Sequence, residues 1–144
     1  MIPPKKKIYN TFTSFSLKSE IMKAIDELGF VTPTPIQKKV IPHLLSSKQD
    51  LIASAQTGTG KTAAFALPLL QSIDFKNNNV QMLVLCPTRE LCIQISKDLI
   101  NYSKYLQKIN IVPIYGGARI ENQMRGLKKK PQIVIGTPGR TTDL

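Results

Sequence analysis

Residues 55–62 read AQTGTGKT, with two glycines, a lysine and three threonines in eight positions. The spacing A-x-x-x-x-G-K-T is that of a phosphate-binding loop, with Ala55 where the pattern usually has its first glycine. Each residue type has a task. Gly58 and Gly60 let the backbone curl so that successive N–H groups point inward. A helix beginning at Lys61 adds its own unpaired N–H groups, and together these bind phosphate oxygens. The Lys61 ammonium sits on the outer phosphates of a nucleoside triphosphate, and the Thr62 hydroxyl ligates Mg²⁺. Lys61 and Thr62 are therefore the candidate catalytic residues, with Thr62 also the metal ligand.

The loop does not say which base. Gln37 offers a reader, because a glutamine amide pairs with adenine by donating to one ring-edge atom and accepting from another. Guanine presents an acceptor where adenine presents a donor. The guanine-reading tetrapeptide N-K-x-D is absent from the sequence. A triphosphate hydrolase also needs a carboxylate at the end of an apolar strand to hold the metal and orient water. The strand ends here read Ser-Ala, Cys-Pro, Tyr-Gly-Gly and Gly-Thr, none of them acidic.

These residues need a scaffold, and the pattern supplies one. A helical period begins at Ser16, with Leu17, Ile21, Ile25 and Leu28 on one face, Ser16 as N-cap and Gly29 as stop. Thr34-Pro35 opens a second helix, which Pro42 is expected to kink or split. From Asp50 onward, strand-like runs at 51–55, 82–86, 109–115 and 132–136 alternate with helix-like runs near 62–73, 89–106 and 118–128. That alternation implies a parallel sheet flanked by helices, an α/β fold in which every strand-to-helix junction lies at the carboxyl edge. Thr88 and Thr137 each follow a strand and can cap a helix. Gly116-Gly117 gives a bare backbone turn. Such junctions bind phosphates without reading bases, and Arg89, Arg119 and Arg140 stand beside them.

The net charge of +11, from 20 basic and 9 acidic residues, predicts attraction to a polyanion. Lys5-Lys6-Lys7 and Lys128-Lys129-Lys130 are expected on a tail and a loop. No apolar run approaches a bilayer span and no secretory signal is visible, so the expectation is a soluble cytoplasmic protein with no membrane partner. Two cysteines, Cys86 and Cys92, are too few for a disulfide framework or zinc site and read as buried thiols. His43 is given no chemistry.

Five segments resemble those of DEAD-box RNA helicases, in the order of that family. G-F-x-x-P-T-P-I-Q at 29–37 resembles the Q motif, and Phe12, 17 residues upstream of Gly29, resembles the family's isolated aromatic. AQTGTGKT resembles motif I. PTREL at 87–91 resembles motif Ia, Gly116-Gly117 the GG motif, and TPGR at 137–140 motif Ib. The resemblance implies a P-loop NTPase of RecA-like fold, truncated, with residues 1–11 a basic flexible tail and 12–144 an incomplete first domain. It implies ATP and Mg²⁺ as cofactors, with Phe12 stacked on adenine. Phe30, Gln37, Ala55, Gln56, Thr57, Gly58, Thr59, Gly60, Lys61 and Thr62 complete the implied nucleotide site. It further implies an RNA strand gripped along its backbone by Pro87, Thr88, Arg89, Gly116, Gly117, Thr137, Pro138, Gly139 and Arg140.

The D-E-A-D tetrapeptide, the S-A-T motif and a second RecA-like domain are not in the sequence, and Leu144 falls inside the helix that Thr137-Pro138 begins. The expectation is a fragment of an ATP-dependent RNA helicase that binds nucleotide weakly and does not hydrolyse it. Two alternatives stand beside it: a non-catalytic nucleotide- or RNA-binding module, and a P-loop enzyme acting on DNA.

Overall fold

The computed structural model describes residue 2 and residues 7–144. The part of the expected tail at 1 and 3–6, including Lys5 and Lys6, lies outside the described residues. Nearer the fold, Tyr9 stacks on Phe15 at 5.1 Å between ring centroids.

Three parallel strands, β1 (Met82–Leu85), β2 (Ile111–Ile114) and β3 (Ile133–Gly136), form a sheet in the order β1-β3-β2. β3 is central and buried along its whole length, as its unbroken apolar run requires. The register brings Leu85, Gly136 and Ile114 level with one another, so all three strands end on one line. Helices α1 (Ser19–Glu27), α2 (Pro35–Ser46), α3 (Lys61–Gln71), α4 (Arg89–Tyr102), α5 (Ile120–Lys128) and α6 (Pro138–Asp143) complete the regular elements. α4 packs on β2 and β3, α5 on β2, α3 on α4, and α2 on α3. Ile21, Ile25, Leu67, Leu70, Leu99, Ile133 and Ile135 are fully buried and tie these contacts into one core.

Four sequence expectations change. The run at 51–55 is not a strand: it pairs with no other segment, and Leu51 and Ile52 are exposed. Its composition suits a sheet, but a strand exists only through its neighbours. Ser16 is not the N-cap of the first helix. It ends a short 3-10 turn, Phe12–Phe15, in a left-handed conformation (φ 59°), and α1 begins three residues later at Ser19. Burial of Phe12, Phe15 and Leu17 takes the chain into the core before α1 can start. Pro42 does not split α2, which runs unbroken past it. Lys38, whose carbonyl loses a partner to that proline, is exposed, so water can serve it. The first of the three clustered lysines is not in a loop: Lys128 closes α5, and only Lys129 and Lys130 follow in the connecting segment.

Gly29 stops α1 as expected. At φ 81° it donates to the Asp26 carbonyl at 3.0 Å, while Phe30 N–H donates to that of Ile25 at 3.0 Å. This doubled closure satisfies carbonyls the helix cannot. Cys86 and Cys92 are free and buried. Burial pushes the Cys92 thiol up to about 12, with Cys86 beside it adding to the shift.

Phe12 is 3% exposed, meeting Phe15 at 5.8 Å and Phe30 at 5.5 Å. The structure thus packs the ring expected to stack on adenine among aromatic neighbours in the core. Phe12→Ala is expected to lower unfolding free energy by about 3 kcal/mol in urea titration, as for a buried phenylalanine. An unchanged midpoint and slope would return Phe12 to a ligand role. Because both thiols are buried and that of Cys92 stays neutral, neither cysteine is expected to react with a disulfide reagent at pH 8 until denaturant is added.

Candidate functional site

The phosphate-binding loop takes its shape from the start of α2. Pro35 opens that helix and Thr34 caps it, with Thr34 N–H donating to Gln37 Oε1 at 2.9 Å in a reciprocal capping box. The same two side chains reach the loop. Thr34 Oγ1 donates to the Thr59 carbonyl at 2.6 Å, and Gln37 Nε2 donates to the Gly60 carbonyl at 3.2 Å. The loop's carbonyls are thus engaged by α2. Gly58 and Gly60 both have positive φ, 81° and 77°, and Gly60 is the N-cap of α3. The first N–H groups of α3 have no partner within the helix, which makes them available to an anion. At Gly58 the space a side chain would take is open. The loop therefore fits a polyphosphate.

Gln37 is placed against the loop, not at an open face. Its amide is 3% exposed, with one end bonded to Thr34 and the other to Gly60. In the structure the two ends of the amide together hold the loop to the start of α2. A Cβ at Gly60 would lie 2.2 Å from Gln37 Nε2, so a side chain there would displace that amide as well as meet a positive φ. Phe30 packs between Phe12 and Tyr102, within the same aromatic group. Ala55, Gln56, Thr57 and Thr59 form the loop itself, with Thr59 Oγ1 donating to the Gln56 carbonyl at 2.6 Å. Lys61 is exposed and borders an apolar cleft of about 390 Å³ between α2 and α3. Thr62 is half-buried in the first turn of α3. No group of three or more His, Cys, Asp or Glu side chains able to hold a metal occurs among the described residues.

A second group of candidates lines the carboxyl edge of the sheet. Because the strands end level and neighbours lie about 4.8 Å apart, the junctions after β1, β3 and β2 stand side by side in that order. Pro87, Thr88 and Arg89 are exposed after β1, and Gly116 and Gly117 after β2. Between them stand Thr137, Pro138 and Gly139. Thr88 caps α4, its Oγ1 accepting from Leu91 N–H at 3.2 Å. Thr137 occupies the N-cap of α6 but makes no side-chain cap bond, so its expected capping role is corrected. Its N–H instead donates to the Ile114 carbonyl at 3.0 Å, holding the β3 and β2 ends together. Arg89 lies over the Tyr115 ring at 5.1 Å, joining the first junction to the third.

Arg140 does not project from this edge. Its Nη1 donates to the Ala118 carbonyl at 3.1 Å and to Gln123 Oε1 at 3.0 Å, and its side chain is 15% exposed. In the structure these bonds turn the guanidinium inward. Gln123 was not among the sequence candidates. Its signal was present: it shares helical spacing with Ile120 and Leu127, a position where a polar residue is out of place.

Comparison with known proteins decides the family. The model of the DEAD/DEAH box helicase family matches residues 34–144. The chain belongs to this family. It is 49% identical over 133 residues to the ATP-dependent RNA helicase DeaD of Escherichia coli (strain K12), covering 92% of this chain and 21% of that protein. It is 53% identical over 132 residues to the ATP-dependent RNA helicase CshA of Listeria monocytogenes, covering 92% and 25%. The chain thus spans a fifth to a quarter of the length of these relatives. Among solved structures, a DEAD box protein from the hyperthermophile Methanococcus jannaschii superposes with a TM-score of 0.86 at 42% identity, over 92% of this chain and 36% of that one. The DEAD-box helicase Mss116, bound to ssRNA and UDP-BeF, superposes at 0.84 with 36% identity, over 97% and 30%. These establish the RecA-like α/β fold of helicases of this family.

If Gln37 braces the loop, Gln37→Ala is expected to destabilise the nucleotide-free protein by about 1–3 kcal/mol, the loss of buried hydrogen bonds. Thermal melting without ligand checks this. A residue that only read a base would leave that stability unchanged.

Proposed function

We propose that these residues form the ATP-binding and RNA-gripping part of an ATP-dependent RNA helicase. The observation that carries the reading is the loop at 55–62, whose carbonyls are held by α2 and whose amides remain for phosphate. Lys61 supplies the mobile cation and Thr62 the hydroxyl for Mg²⁺. ATP as the nucleotide is supported by the names of the relatives, both ATP-dependent RNA helicases. Bound ATP would supply the free energy that alters the grip on RNA.

The three level junctions support the RNA half of the proposal. Backbone N–H groups at helix starts and at a glycine turn contact sugar and phosphate, so binding is expected to be independent of sequence and sensitive to salt. Mss116, with single-stranded RNA in its structure, supports RNA over DNA as partner. A second RecA-like domain is proposed as the partner that closes over the nucleotide. No helix among the described residues is long and apolar enough to cross a membrane.

A binding role without turnover for these residues alone is favoured by one observation. Among the described residues no strand's carboxyl end carries a carboxylate, so the group that orients water is not at this edge. We therefore assign binding, not hydrolysis, to the 144-residue chain.

Lys61→Ala is expected to weaken a fluorescent ATP analogue by roughly tenfold or more, from loss of a charge-assisted contact of about 1.5–3 kcal/mol. Unchanged affinity in titration would overturn the loop's assignment. The unmodified chain is expected to release no phosphate from ATP above the Lys61→Ala level. Sustained release would show that a catalytic acid lies among these residues.

A further inference from the structure

The Gly116-Gly117 turn is held on both flanks by side chains from other elements. Gln123, in the first turns of α5, is 7% exposed. Its Nε2 donates to the Tyr115 carbonyl at 2.9 Å, immediately before the glycine pair. Its Oε1 accepts from Arg140 Nη1 at 3.0 Å. The same Nη1 donates to the Ala118 carbonyl at 3.1 Å, immediately after the pair. Arg140 belongs to α6, whose start is the junction at Thr137. Asp143 faces its Nε at 3.9 Å.

We propose that Gln123 and Arg140 are positioning residues that brace the Gly116-Gly117 turn for a passing RNA backbone. The proposal rests on the RNA reading given above. Two adjacent glycines have the widest backbone freedom of any pair, and ordering them on binding costs conformational entropy. Fixing the carbonyls on either side removes much of that freedom beforehand. The brace also joins two junctions, because one guanidinium on α6 bonds both the residue after the turn and the glutamine that holds the residue before it. Arg89 extends the same unit, since it rests on the ring of Tyr115. Arg140 therefore acts through the turn, and its charge is not offered to phosphate.

The test uses the full chain with Gln123→Ala, Gln123→Glu, Arg140→Ala and Arg140→Lys. It reads amide hydrogen exchange at 116–118, affinity for a fluorescein-labelled oligouridine over a range of salt, affinity for a fluorescent ATP analogue, and melting temperature. Gln123→Ala is expected to speed exchange at the turn and weaken oligouridine about fivefold, as for loss of an ordinary hydrogen bond, with ATP-analogue affinity unchanged. The salt slope is expected to stay constant in every variant, because no cation leaves a phosphate. Arg140→Lys keeps the charge but not the forked donor, so a brace is lost where a simple phosphate contact would largely survive. Gln123→Glu keeps an acceptor for Arg140, and it serves as the folded substitute if the alanine variant does not fold.

A slope shallower by about 0.7 in Arg140→Ala would make Arg140 a phosphate ligand and overturn the brace. So would unchanged exchange at the turn in folded Gln123 variants. If the unmodified chain fails to bind oligouridine, the RNA reading itself falls, and with it the brace's proposed purpose. Exchange at 116–118 then still reports whether the turn is held.

Discussion

Three parallel strands ending on one line is the constraint from which the rest follows. The register of β1 and β2 against β3 places Leu85, Ile114 and Gly136 level, and the chain leaves each strand at the same height. Had one strand run two residues longer, its junction would stand about 7 Å above the others. On the proposed reading, a strand of RNA could not then touch all three in passing. The requirement falls on β3 most heavily, since it is paired on both sides and buried throughout. A Cβ on Gly136 would lie 2.3 Å from Thr141 Oγ1 and 2.7 Å from Ile114 Cγ1, so the line is closed tightly at its centre.

A second regularity runs through both candidate sites. Side chains engage carbonyls and leave amides free. Thr34 and Gln37 do so at the phosphate loop, and Gln123 and Arg140 at the glycine turn. An exposed carbonyl near an anion is repulsive, whereas an exposed N–H attracts it. Sites that bind phosphate through backbone therefore gain from having their carbonyls occupied elsewhere.

Much of this was legible in the sequence, and the limits have physical reasons. The runs at 82–86, 109–115 and 132–136 contain the three strands because each is apolar and bounded by turn residues. The run at 51–55 has the same look, but pairing is a property of two segments, and composition reports on one. Thr88 as a cap and Gly29 as a stop are local chemistry, readable within four residues. The roles of Gln37 and Arg140 are not local. The amide of Gln37 meets a carbonyl 23 residues away and the guanidinium of Arg140 one 22 residues away, so sequence shows the bonding capacity of each without its partner. The packing of Phe12 is not local either: an aromatic that suits a base also suits a core, and Phe15 and Phe30 are near enough to pack on it.

The contact between Gly60 and Gln37 also constrains the order in which the two positions can change. Shortening Gln37 opens space beside residue 60, yet a larger residue there still meets the left-handed backbone, which disfavours any side chain. Enlarging residue 60 first drives an atom into the glutamine amide. A path that begins at position 60 must therefore displace that amide and bear the positive φ at once. A path beginning at position 37 is open but leads no further. Drift at this pair meets less resistance at position 37, so variation in the loop's support is expected to enter through the helix that holds it and not through the loop.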